Sequence, residues 1–248
     1  MKPDYSFENQ LKSLEHEANV IANYTYAEMT IQHAASQSKK LLDHLNETPT
    51  FWISCTAALQ SAAYIALGRV FDQKSPYNLE ALMISMERDL TIFGRDALAH
   101  RKRNGATSDP AWLDAYLSAA HYPTKADVAR LRRNIEKYRC VYERAIMPVR
   151  HQYLAHRQAH GNTKVQALFA RGKVADLWRL STFLVRLHSA LWGLLHNGRK
   201  PLLTPVRFSV NRIYADSSRN SRPHEQIVRE TRALMKALEQ LPKSSFRS

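Results

Sequence analysis

"TKADVARLRRNIEKYRCVYERAIMPVRHQY", Thr124 to Tyr153, decides the class of the fold. Its apolar positions are Val128, Leu131, Ile135, Tyr138, Tyr142, Ala145, Val149 and Tyr153, separated by alternating steps of three and four. That is the 3.6-residue period of a helix with one face turned toward a core. Thr124 stands where an N-cap belongs. The period returns in "VADLWRLSTFLVRLHSALWGLLH", Val174 to His196, where Leu177, Leu180, Leu184, Leu187, Leu191 and Leu195 line one side. Gly198 follows as a helix-ending residue able to take left-handed backbone angles.

Outward from these two segments the pattern stays helical. A first helix is expected from about Ser6 to Leu45 and a second from about Thr50 to Phe71. Two or three shorter ones fall between Asn78 and His121, one of them opened by "SDPAW" with Ser108 as cap and Pro110 in the first turn. A last helix covers Glu225 to Leu241. Prolines and the few glycines sit mostly between these stretches. "VRFSVNRIY", Val206 to Tyr214, alternates weakly, and no sustained strand pattern exists. The expected fold is an all-α antiparallel helical bundle over residues 1–198, with a short-helix insertion at about 75–122, followed by a basic loop and C-terminal helix over 199–248.

"FWISCTAALQSAAYIALG", Phe51 to Gly68, carries no charge and is barely long enough to span a bilayer. Its Ser54, Thr56, Gln60, Ser61 and many alanines favour a central core helix over a membrane span. Cys55 and Cys140, far apart in sequence, are expected as two buried free thiols rather than a disulfide or a metal pair. "MKPDYSFENQ" at the start has no apolar signal core, so a cytoplasmic location is expected.

Thirty-six Lys and Arg against 22 Asp and Glu give a net charge of +14. Such an imbalance points to an anionic partner, nucleic acid first and an anionic membrane surface second. Extending the Thr124 stripe past Tyr153 lands on His156, where the pattern asks for an apolar residue. A histidine there is either a core residue satisfied by one hydrogen bond or an imidazole held in a cleft, able to exchange protons near neutrality. Arg150 lies six residues earlier, about 120° around an ideal helix and ~9 Å along it. Its reach, and a kink where Pro148 frees the Arg144 carbonyl, could bring the two together.

"RHQYLAH", Arg150 to His156, resembles the Arg-(four to six residues)-His signature of HEPN domains, with His151 in the polar place after the arginine. "TPTFWISCTAALQSAAYIALGRVFD" and "LHSALWGLLHNGRKP" are also similar to the abortive-infection U type of HEPN protein, so that the resemblance covers roughly Glu8 to Pro205. What it implies is a metal-independent endoribonuclease without cofactors, acting on RNA in phage defence or as a toxin. The substrate 2′-hydroxyl attacks the adjacent phosphate and leaves a cyclic phosphate. His156 carries protons, Arg150 binds the phosphate, and His151 assists. Asp72, Arg69 and Tyr153 are supporting candidates, and Arg157, Arg199 and Lys200 are candidates for backbone contact. The resemblance also implies a homodimer with the motifs facing across a two-fold axis, and a cognate antitoxin or regulator.

Several residues compete with that reading. "RDALAH", Arg95 to His100, fits the same signature but lies in the short-helix region, as a basic RNA-contacting surface or by chance. Asp72 either orients Arg150 or His156, or is a solvated helix end paired with Arg69. His156 and His160 have helical metal-ligand spacing, but no acid or cysteine accompanies them, so no metal is expected. The segment Arg199 to Arg222 holds six Lys and Arg and one acid, Asp216. Alternatives to the nuclease are a non-catalytic RNA- or protein-binding HEPN protein and a membrane-surface or adaptor protein.

Overall fold

The protein is described by a computed structural model over residues 6–105, 108–151, 174–204 and 223–242. It is all-α there: α1 Phe7–Gln37, α2 Lys39–Glu47, α3 Pro49–Phe71, α4 Leu79–Arg88, α5 Arg95–Arg103, α6 Leu113–Ala119, α7 Lys125–Ala145, α8 Met147–Val149, α9 Val174–Asn197 and α10 Pro223–Gln240. A 3-10 turn covers Leu90–Phe93. The described residues contain no strand.

The segment from Val174 forms as read, whereas the one from Thr124 runs as a single helix only to Ala145, and its last stripe position, Tyr153, lies outside the described residues. Thr124 and Asp127 reciprocate at the start of α7. The Thr124 N–H donates to Asp127 Oδ2 at 2.9 Å, and the Asp127 N–H donates to Thr124 Oγ1 at 3.4 Å. Val128, Leu131, Ile135, Tyr142, Ala145 and Val149 are buried, and Tyr138 is half-buried. The six leucines of the α9 stripe are all buried, each contributing on the order of 2 kcal/mol of transfer free energy.

Other boundaries differ from the sequence reading. The first helix does not continue to Leu45. Ser38 takes extended angles, and its Oγ accepts from the Leu41 N–H at 3.2 Å and donates to Glu239 Oε1 at 2.5 Å, so one hydroxyl ends α1, caps α2 and ties it to α10. Leu41 and Leu45 then pack on Met235. Ser108 and Pro110 do not open α6, which starts at Leu113 behind a turn where the Leu113 N–H donates to the Pro110 carbonyl at 2.9 Å. Helix α3 is not a core helix throughout. Ala63, Tyr64 and Ala66 to Gly68 are buried, but nothing from Phe51 to Ala62 is, and Phe51 and Ile53 are 59% and 67% exposed. By length and composition α3 passes for a membrane span, with 28% of that window buried. Both cysteines are free, but Cys55 is half-buried and Cys140 exposed rather than buried.

The chain divides into two compact units, and α1, α3, α7 and α9 each contribute to both. Unit 1 comprises Met1–Ala18, Arg69–Tyr142 and Thr182–Val206. It is built on aromatic pairs, Phe7 edge-on to Phe93 at 5.0 Å, Phe71 stacked on Tyr142 at 5.2 Å and Tyr138 stacked on Phe183 at 3.8 Å. The Arg132 guanidinium of α7 bonds both Glu80 and Glu87 of α4 at 2.6–2.9 Å. Unit 2 comprises Asn19–Gly68, Glu143–Ser181 and Arg207–Ser248.

Gly198 closes α9 at φ +56°, and a Cβ there would lie 2.7 Å from Ala120 Cβ and 2.9 Å from Leu98 Cδ2. Its carbonyl accepts from the His121 N–H at 2.7 Å, and the carbonyl before it accepts from the Tyr116 hydroxyl at 2.8 Å. Gly198→Ala adds left-handed strain to overlap with two apolar neighbours. It is expected to lower unfolding free energy by about 3 kcal/mol in urea titrations, against about 1 kcal/mol for Gly105→Ala, where φ +85° strains the backbone but a Cβ meets open space.

Candidate functional site

Pro148 has no N–H to offer the Arg144 carbonyl, and α7 stops at Ala145. Ile146 turns out of the helix at φ −111°, ψ −45°, and Pro148 sits in the first turn of the three-residue α8. The Arg150 N–H donates to the Ile146 carbonyl at 3.0 Å, and the backbone widens into a π-type turn at Arg150 and His151. Past this break Val149 keeps the stripe and stays buried, while Arg150 is half-buried beside it.

The Arg150 side chain lies against α3 at Gly68. A Cβ on Gly68 would come within 2.5 Å of Arg150 Cζ and 2.6 Å of its Cδ, so any other residue at that position collides with the guanidinium. The only sequence signal was a glycine interrupting an otherwise unbroken helical pattern, a placement that costs about 1 kcal/mol relative to alanine.

One helical turn earlier on the same face of α3 stands Tyr64, fully buried, its hydroxyl accepting from Gln60 Nε2 at 3.2 Å. Burial raises the Tyr64 phenol, and the charges of Glu28 and Asp176 raise it further. Glu28, on α1, is 4% exposed and accepts from Gln32 Nε2 at 3.1 Å. Burial pushes its carboxyl up to about 7, against the pull of the Gln32 amide. Asp176, buried in the first turn of α9, has Arg179 at 3.5 Å and Arg144 at 3.9 Å. These groups all belong to unit 2, and residue spacing alone does not reveal Gly68, Tyr64, Glu28 or Asp176 as its polar lining.

Of the residues singled out in sequence, Arg150 is half-buried on Gly68 and His151 is exposed. His156, Tyr153, Arg157 and His160 lie outside the described residues. Asp72 and Arg69 belong to unit 1, where Arg69 makes a bidentate pair with Glu17 at 2.8 Å on both arms. Arg199 and Lys200 are exposed and also belong to unit 1. The Arg95–His100 copy sets its ends about 140° apart on α5, with Arg95 held by Asp114 at 3.1 Å. Its basic followers are engaged too. Arg101 donates to the Ile92 carbonyl at 2.6 Å and Lys102 donates to Asn197 at 2.7 Å, 5.0 Å above the Tyr116 ring, while Arg103 pairs with Asp109.

Glu28 yields a signed pH effect. Its folded value, about 7, exceeds the ordinary 4.5, so the favourable contribution is complete below about 4.5 and lost as pH rises through 7. Glu28→Gln keeps the Gln32 bond and removes the ionisation. Thermal unfolding is expected to show the variant more stable at pH 8, by on the order of 3 kcal/mol, with the gap closing at pH 5. An equal gap at both pH values, or none, would refute the assignment.

No curated protein and no solved structure matches the chain. A family match does, over residues 4–213: AbiU2, of the HEPN proteins. Since those residues cover most of the 248, the chain belongs to the AbiU2 family of HEPN proteins.

Proposed function

We propose that this chain is an abortive-infection endoribonuclease that cuts RNA without a metal, using Arg150 and His156. The observation that carries the reading is the fit of the Arg150 side chain against Gly68, within an arginine–histidine signature that family membership makes meaningful. A guanidinium braced on helix backbone loses little freedom when it engages a phosphate, and it stays charged at every working pH.

In this reading the 2′-hydroxyl attacks the adjacent phosphorus and the bond to the 5′-oxygen breaks, leaving a 2′,3′-cyclic phosphate and a 5′-hydroxyl. His156 takes the proton from the nucleophile and returns one to the leaving oxygen, with His151 assisting. Arg150 stabilises the charge on the non-bridging oxygens in the transition state. The active form is a homodimer with two motifs facing each other, working in the cytoplasm under an antitoxin or regulator.

The test is incubation of purified protein with RNA in EDTA. Fragments with cyclic-phosphate ends are expected, falling by about 10²–10⁴-fold in His156→Ala and persisting in His100→Ala. Gly68→Ala is the sharper variant. Helix propensity favours alanine by about 1 kcal/mol, yet the displaced arginine should lower cleavage by about 10²-fold while unfolding stability holds. Binding of RNA with no cleavage by the wild type would favour the non-catalytic alternative.

A further inference from the structure

Two pairs of arginines contrast among the described residues. Arg69 with Glu17, and Arg132 with Glu80 and Glu87, are matched fork to fork by carboxylates at 2.6–2.9 Å. Arg144 and Arg179 are not. Both approach one oxygen, Asp176 Oδ1, at 3.9 and 3.5 Å, and their side chains remain 70% and 53% exposed. One carboxylate cannot neutralise two guanidiniums. This one also sits in the first turn of a 24-residue helix, whose positive end draws on the same charge. Each guanidinium has five N–H donors, on side chains that are more than half exposed to solvent.

We propose that Arg144 and Arg179, drawn together by Asp176, form a clamp for the phosphate backbone of single-stranded RNA beside the Arg150 seat. The proposal rests on the nuclease reading of that seat and gives it a substrate track. The placement comes from the chain itself, since Arg144 precedes Arg150 by six residues, about 9 Å along a helical path, and both belong to unit 2. A strand held by the clamp thus passes within a phosphate or two of Arg150. The buried aspartate has a distinct part, holding two like charges at one edge while its own charge weakens the site.

The probe is a fully 2′-O-methylated single-stranded oligonucleotide, which cannot undergo 2′-hydroxyl attack, titrated into full-length protein across a range of salt. Arg144→Gln with Arg179→Gln is expected to weaken binding roughly 25-fold at 0.1 M salt and to lower the salt slope by about 1.4, the value for two phosphate contacts on a single strand. Lys39→Gln with Lys40→Gln removes the same charge from exposed α2 positions and should change affinity by less than about threefold. The clamp is refuted if the arginine pair behaves like the lysine pair, or if the arginine pair loses binding only to phosphatidylserine vesicles. Cleavage of unmodified RNA, measured alongside, separates the two ideas. Clamp-dependent binding without cleavage sinks the nuclease alone, and wild-type binding and cleavage in the arginine pair sink the clamp alone.

Discussion

The contact between the Arg150 side chain and the Gly68 backbone is the constraint on which the site depends. It requires two departures from ideal helix, one on each partner. Helix α3 gives up a side chain at Gly68, where alanine would suit the helix better. The other helix gives up its continuity, because Pro148 breaks the backbone ladder and a widened turn redirects Arg150. Neither departure stabilises its own helix. Together they let a long cationic side chain lie along a helix surface with its Cδ and Cζ in contact distance of the backbone.

The polar groups around that contact follow from the same economy of space. Within unit 2, Glu28 has an amide for company and no cation among the causes acting on it, so burial dominates and the proton is held to about neutrality. Asp176 has two guanidiniums within 4 Å. Two buried acids that act on one phenol thus have opposite surroundings. Differences of this kind are how one interior can hold an acid beside an amide and an acid beside two cations together.

The elements legible in sequence were those where one strong signal had no competitor. The α7 and α9 stripes, the Thr124 cap, the left-handed Gly198 and the break at Pro148 each follow from the period, from a capping side chain or from a missing N–H. Ser38 defeated the period because its hydroxyl has partners on both sides, one of them on α10, 201 residues away. Ser108 and Pro110 carried cap chemistry that the chain uses for a turn ahead of α6 rather than for the helix start. The Ser, Thr, Gln and Ala content of α3 favours a core helix over a membrane span, but such residues also tolerate exposure, and nothing from Phe51 to Ala62 is buried. Arg150 was legible as a member of a motif. Gly68, Tyr64, Glu28 and Asp176 were not, because elements distant in the chain bring Gly68 against Arg150 and the two acids within electrostatic reach of Tyr64.

The two arginine–histidine copies show why spacing alone carries little weight. On α5 the basic residues are absorbed locally: Arg95 by Asp114, Arg101 by a backbone carbonyl, Lys102 by Asn197 and an aromatic face, and Arg103 by Asp109. Burial even lowers the Arg101 guanidinium, as expected of a cation used to fill a structural position. Around Arg150 the distribution runs the other way, with Arg144 and Arg179 sharing one acid in a protein that already carries +14. A phosphate backbone gains most where positive charge is least answered by the protein itself. By that criterion the site proposed above belongs with the copy beginning at Arg150, while the basic residues of the copy beginning at Arg95 are engaged within the scaffold.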